Sequence, residues 1–147
     1  MSRISDDARA ARTGSRTRAR VGLVLTALVV AFLLFDAVIH LLDVTPVKDA
    51  MAQLGFRPGA AAVIGLVELA CLVLFVVPRT SVLGAILLTG YLGGAVAAQL
   101  RIEAPLFSTL LFPVYTGVLM WAGLWLRDAD LRAPAPLRMP HPVADPR

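Results

Sequence analysis

One cysteine, Cys71, stands in the whole 147-residue chain, so no internal disulfide can form and no CxxC pair exists for thiol redox chemistry. Cys71 sits in an apolar run and reads as a small buried hydrophobe. Histidine is nearly as scarce: His40 lies in an apolar segment and His141 in a proline-rich tail. A haem held by two imidazoles inside one bundle is therefore excluded. Charge is thin as well, at 16% of residues against roughly a quarter in soluble domains. What fills the space is apolar, 58% of residues, with a mean hydropathy of +0.76. Arginine outnumbers lysine thirteen to one, which together with abundant Ala, Val, Leu and Gly suits a GC-rich bacterial genome and hence a plasma membrane.

The formal charge of +4 does not point to nucleic acid. Six of the fourteen cationic residues (Arg3, Arg9, Arg12, Arg16, Arg18, Arg20) precede an apolar run directly, a placement that suits an anionic lipid surface and topology control. No recognition module follows them. The basic head and the Ala50-Met51-Ala52 triplet resemble a signal peptide with its cleavage site. However, the run from Val21 to Leu42 is 22 residues, longer than the usual ~7–15 of a signal core. The segment is expected to be retained.

Four apolar runs, about 21–42, 60–77, 81–100 and 106–126, have 18 to 22 residues each, and about 20 are needed to cross the hydrocarbon. Backbone in lipid must satisfy its own hydrogen bonds, so these runs are expected to be helices. The fold expected is all-α: a four-transmembrane-helix bundle over 21–126, flanked by a basic tail (1–20) and a Pro-rich tail (127–147), both lacking order and both cytoplasmic. The orientation follows from eleven Lys and Arg on the N-terminal side against three, Lys48, Arg57 and Arg101, on the other. Between spans one and two, Thr45 is placed to cap, Pro46 suits the first helical turn and Gly55 the exit. Val47, Ala50, Met51 and Leu54 share one face, predicting a short amphipathic helix on the outer surface. Gly65, Gly90, Gly94 and Ala98 are expected to let helices approach closely, or to mediate contact with a partner or a second copy. Pro113 is expected to kink span four and free a carbonyl near Thr109.

Ionisable groups at membrane depth are costly and so mark function. Asp36, His40 and Asp43 fall at i, i+4 and i+7 on span one. Glu68 lies near the centre of span two and Tyr91 near the middle of span three. Gln99 and Arg101 close span three, and Tyr115 lies in span four. The polar groups gather in one half of the bundle, suggesting a cavity open to the outside. Two uses are compatible with this. Interhelical hydrogen bonds among these groups could fix register alone, or the groups could bind a ligand or carry a proton. A dry contact of Asp36, Glu68 and Arg101 would favour the first, an open pocket the second. Asp36, His40 and Glu68 could supply three metal ligands, but their depths in the bilayer differ, so no metal site is expected.

The stretches Leu34-Phe35-Asp36-Ala37-Val38-Ile39-His40, Leu54-Gly55-Phe56, Gly65-Leu66-Val67-Glu68-Leu69, Ile86 to Ala95, Pro105 to Ser108 and Phe112-Pro113 together resemble the DoxX-like membrane proteins over about residues 21–131. The resemblance implies a four-helix membrane bundle, with Asp36, Glu68, Tyr91, Arg101 and Pro113 at matching positions. It also implies histidines near positions 99 and 109, where this chain has Gln99 and Thr109. The family's namesake is tied to a quinone-linked oxidoreductase subunit. The expectation is thus an accessory or small-lipophile-binding membrane subunit with an outward polar cavity, quinone being one candidate and no other cofactor predicted. The alternatives are an assembly partner of other membrane proteins and an oligomeric proton-coupled transporter component. No catalytic motif is present. Expected partners are the bilayer, and a membrane protein or further copies of the chain.

Overall fold

The computed structural model describes residues 2–132, so the Pro-rich tail from residue 133 onward lies outside the described residues. Within them the chain is all-helical: α1 (Ser2–Leu41), α2 (Thr45–Gln53), α3 (Ala60–Val76), α4 (Ser81–Arg101), a π-helical turn (Leu106–Leu110), α5 (Phe112–Arg127) and a 3-10 turn at Asp130–Arg132. Three stretches are long and apolar enough to cross a membrane: Gly14–Leu41, Ser81–Arg101 and Leu106–Arg127. The fourth apolar helix, α3, has 17 residues, a rise of about 26 Å.

Helix α1 has 40 residues. It is one uninterrupted rod of about 60 Å, twice the hydrocarbon thickness. The arginine-rich head, read from composition as lacking order, continues the same helix instead of stopping at Val21. Ala8, Ala10, Ala11 and the arginines are good helix formers, and a helix already nucleated by an apolar span extends at little cost.

The four long helices form a closed ring in which α1 packs on α3 and α5, and α4 packs on the same two. The α3–α4 connection is tight, because the Thr80 hydroxyl donates to the Leu74 carbonyl at 2.8 Å and the Ser81 hydroxyl to Pro78 at 3.1 Å. These bonds satisfy carbonyls that a helix end leaves without partners. The core is Val29, Leu33, Leu72, Phe75, Ala85, Leu88, Met120 and Leu124. Phe75 is fully buried, and the Arg127 guanidinium lies 5.4 Å from its ring centroid. Across α4 and α5, the Trp121 indole N–H donates to the Thr89 hydroxyl at 2.9 Å.

Close helix approach occurs at glycines other than most of those expected. A Cβ on Gly84 would collide with the Phe75 backbone nitrogen, and one on Gly22 would stand 2.6 Å from that of Arg127. Gly123 abuts Thr26, and Gly65 abuts the Ala37 carbonyl. By contrast, a Cβ on Gly90 or Gly94 would meet nothing within 4 Å. The Gly90/Gly94/Ala98 stripe therefore leaves space within this chain instead of closing it.

Helix α2 forms where expected and ends as expected: Gly55 has φ +74°, and the Phe56 and Gly55 N–H groups bond the Met51 and Ala52 carbonyls. This left-handed exit is the one a glycine adopts without strain. Thr45 is not the cap. It is the first helical residue, and Val44 precedes it with no side-chain cap. On the amphipathic face Val47 is buried while Ala50 is exposed.

Pro113 does more than kink span four, which is divided at Leu111. Leu111 N–H bonds the Leu106 carbonyl five residues back, closing the π turn, and α5 restarts with Pro113 in its first turn. Proline has no N–H to give Thr109 and is tolerated only at a helix start, so the chain restarts there.

Replacing Gly84 by valine is expected to lower the melting temperature in detergent, with a cost of about 1–3 kcal/mol or more. Gly93→Ala, where the added methyl meets nothing within 4 Å, is expected to be neutral or to gain about 0.5–1 kcal/mol of helix propensity. Thermal melts of the two variants check both.

Candidate functional site

Between the helices, at the end of the bundle that carries α2, lies a cavity of about 460 Å³. Its walls come from every long helix and from α2: Phe32, Leu33, Met51, Leu54, Ile64 and Pro113 are among the apolar ones. Asp36, His40, Glu68, Tyr91, Gln99 and Thr116 contribute the polar groups. Neither lysine nor arginine lines it among the described residues. Gly90 and Gly94 also line it, which explains their open Cβ positions: the missing side chains are part of the cavity volume.

Glu68 is fully buried on α3. The Tyr91 hydroxyl on α4 donates to its Oε2 at 2.9 Å, while its Oε1 is buried without a hydrogen-bond partner. On α1, His40 Nδ1 lies 2.9 Å from the Asp36 carbonyl and 3.4 Å from Asp36 Oδ2. A carbonyl can only accept, so that bond puts the proton on Nδ1 and leaves the Nε2 lone pair free. Gly65 makes this arrangement possible: a Cβ there would stand 2.9 Å from the His40 Cβ, so only glycine lets α3 lie this close to the histidine.

One donor atom each from Asp36, His40 and Glu68 lies within 4.8 Å of the others. This corrects the expectation that differing depth keeps them apart. Asp36 is five residues before the end of α1 at Leu41, and Glu68 is eight residues into α3 from Ala60. The two levels thus differ by about three residues, roughly 4.5 Å. Side chains on a helix tilt toward its N-terminus. In antiparallel neighbours that tilt sends Asp36 away from the α2 end and Glu68 toward it, and the difference disappears.

Of the seven residues expected to form a site, Asp36, His40, Glu68, Tyr91 and Gln99 come together around the cavity. Arg101 does not pair with either carboxylate. Its guanidinium lies against Gly55, where a Cβ would stand 3.1 Å from it. Tyr115 is 45% exposed and lies outside the lining. Sequence reasoning missed Phe32 and Phe112, whose rings meet edge to face at 5.2 Å across α1 and α5, and Thr116. The spacing of Phe32 and Asp36, four apart, carried the signal for the first.

An all-helical chain with membrane-length apolar helices and a polar cluster buried among them is an integral membrane protein. Residues 24–123 match the family model described as the DoxX-like family, and the chain belongs to that family. No curated protein and no solved structure matches it.

Removing the Tyr91 hydroxyl leaves a second buried Glu68 oxygen without a partner. Tyr91→Phe is expected to cost about 1–3 kcal/mol of stability, whereas Tyr115→Phe, on an exposed ring, is expected to cost less than about 0.5 kcal/mol. Denaturation in mixed micelles compares them.

Proposed function

We propose that this chain crosses the membrane four times and serves as an accessory subunit that holds a small lipophilic molecule with a polar head in the cavity at its α2 end. The observation that carries this reading is the cavity itself, apolar on most of its wall and polar at one cluster. Its volume of about 460 Å³ falls within the roughly 300–1,000 Å³ of small-molecule sites. An amphiphile suits such a site because its tail meets Phe32, Met51, Leu54 and Phe112 while its head reaches His40, Gln99 and Tyr91. A quinone is the chemical class that fits best, since its carbonyl oxygens accept from the Gln99 amide and its flat ring can lie against the Phe32–Phe112 pair. In this reading α2 lies on the outer surface as a cover, both termini face the cytoplasm, and the membrane is the bacterial plasma membrane.

The reading favours binding over register-fixing because hydrogen bonds alone leave a cavity unexplained. Packing glue would fill the space with side chains, whereas here Gly90 and Gly94 face it with none.

A short-tailed benzoquinone added to the protein in mild detergent is expected to raise the melting temperature. At a hundred times the dissociation constant the gain is about 2.7 kcal/mol. Gly94→Phe, which fills the cavity, is expected to abolish that gain while leaving the unliganded protein folded. Lack of any quinone effect, together with no lipophile co-extracted with the purified protein by mass spectrometry, would overturn the proposal.

A further inference from the structure

The geometry points to Asp36, His40 and Glu68 as a binding site for one divalent transition-metal cation at the polar end of the cavity. Three features converge on it. One nitrogen and two carboxylate oxygens stand within 4.8 Å of one another. Donors in a tetrahedral shell of radius about 2.1 Å lie about 3.5 Å apart, so the three need to draw in by about an ångström.

The second feature is that two of the three ligands are already oriented by a partner group that is not itself a proposed donor. The Asp36 carbonyl, 2.9 Å from Nδ1, fixes the His40 tautomer, and the Tyr91 hydroxyl holds Glu68 Oε2. Outer partners of this kind, a carbonyl behind an imidazole and a donor behind a carboxylate, accompany metal ligands because they set the tautomer and the aim of the lone pair. The third is the unpartnered oxygen. Glu68 Oε1 has no hydrogen bond, in a residue that is fully buried, and an orphaned buried carboxylate oxygen is costly unless a cation or proton meets it.

Charge leads to the same conclusion. No arginine or lysine lines the cavity among the described residues, so two carboxylates face each other without a fixed positive charge. A dication balances both and leaves the cluster neutral in a low-dielectric setting. An imidazole with two carboxylates suits the Mn²⁺, Fe²⁺, Zn²⁺ class better than Cu⁺, which favours thiolates and thioethers. Three protein ligands leave a fourth coordination position for water or another ligand.

The test uses the full chain in mild detergent, stripped with a chelator and titrated separately with Mn²⁺, Zn²⁺ and Co²⁺. One ion per chain and a higher melting temperature are expected. Glu68→Gln, Asp36→Asn and His40→Gln should each remove binding, and Tyr91→Phe should weaken it about 10–100-fold. Asp49→Asn, outside the cluster, and His141→Gln, in the proline-rich tail, should leave it unchanged. Because changes at Glu68 can unsettle the bundle, a second measurement leaves Glu68 in place: bound Cu²⁺ read by pulsed EPR should show a single imidazole coupling that His40→Gln abolishes and His141→Gln keeps. Absence of a stoichiometric ion, binding that survives Glu68→Gln, or an imidazole coupling that follows His141 would each overturn the proposal. The quinone melting shift is read on the unaltered chain stripped of metal, so the two readings fail separately.

Discussion

A carboxyl group in the middle of a helical bundle constrains everything around it. Among the described residues Glu68 has no lysine or arginine beside it, and its burial must be offset by what the neighbouring helices bring. Tyr91 donates from α4, Asp36 and His40 approach from α1, and Gly65 removes the side chain that would hold α1 away. Placing an ionisable group at this depth costs about 2.5–3.5 kcal/mol on insertion scales, a sizeable fraction of a domain's whole stability. The helices on either side of Glu68 are therefore not free to slide or rotate, since a shift of one residue would turn its partners away by about 100°.

The bundle divides into halves with different tasks. Toward the α3–α4 turn, Phe75, Leu88, Met120 and Leu124 are buried in one cluster, and Gly84, Gly22 and Gly123 bring helices nearly into contact. Toward α2 the same helices spread around a cavity. Pro113 stands at the boundary. By forcing α5 to restart, it lets the segment before it follow a course of its own, and the π turn absorbs the change in register. Small residues thus serve both halves in opposite senses: in one they let helices touch, and in the other they leave room.

Much of this was legible in the sequence. Apolar runs of membrane length, the Pro46 start and Gly55 exit of α2, and the break at Pro113 follow from elementary chain physics. Asp36, His40 and Glu68 stood out because charge in an apolar run is rare. The contact among them was hidden, because a reading of depth from residue number ignores the tilt of side chains toward the helix N-terminus. Glycines were hard to interpret for a related reason. Gly84 and Gly90 look alike in a sequence, and whether a missing side chain admits a neighbouring helix or opens a void depends on the partner's azimuth. Arg101 looked like the counter-ion for the carboxylates, but it stands at the helix end, where a long side chain can follow the surface to Gly55. Order in the arginine-rich head was missed because composition reports solubility and not continuity.

That continuity has a mechanical result. Since α1 runs unbroken from Ser2 to Leu41, Arg18 and Asp36 are 18 residues apart on one rod, about five full turns, and share an azimuth. Torque applied to the arginine-bearing stretch, by a lipid surface or a docked protein, reaches the carboxylate as rotation of the same shaft, with no joint between them to dissipate it.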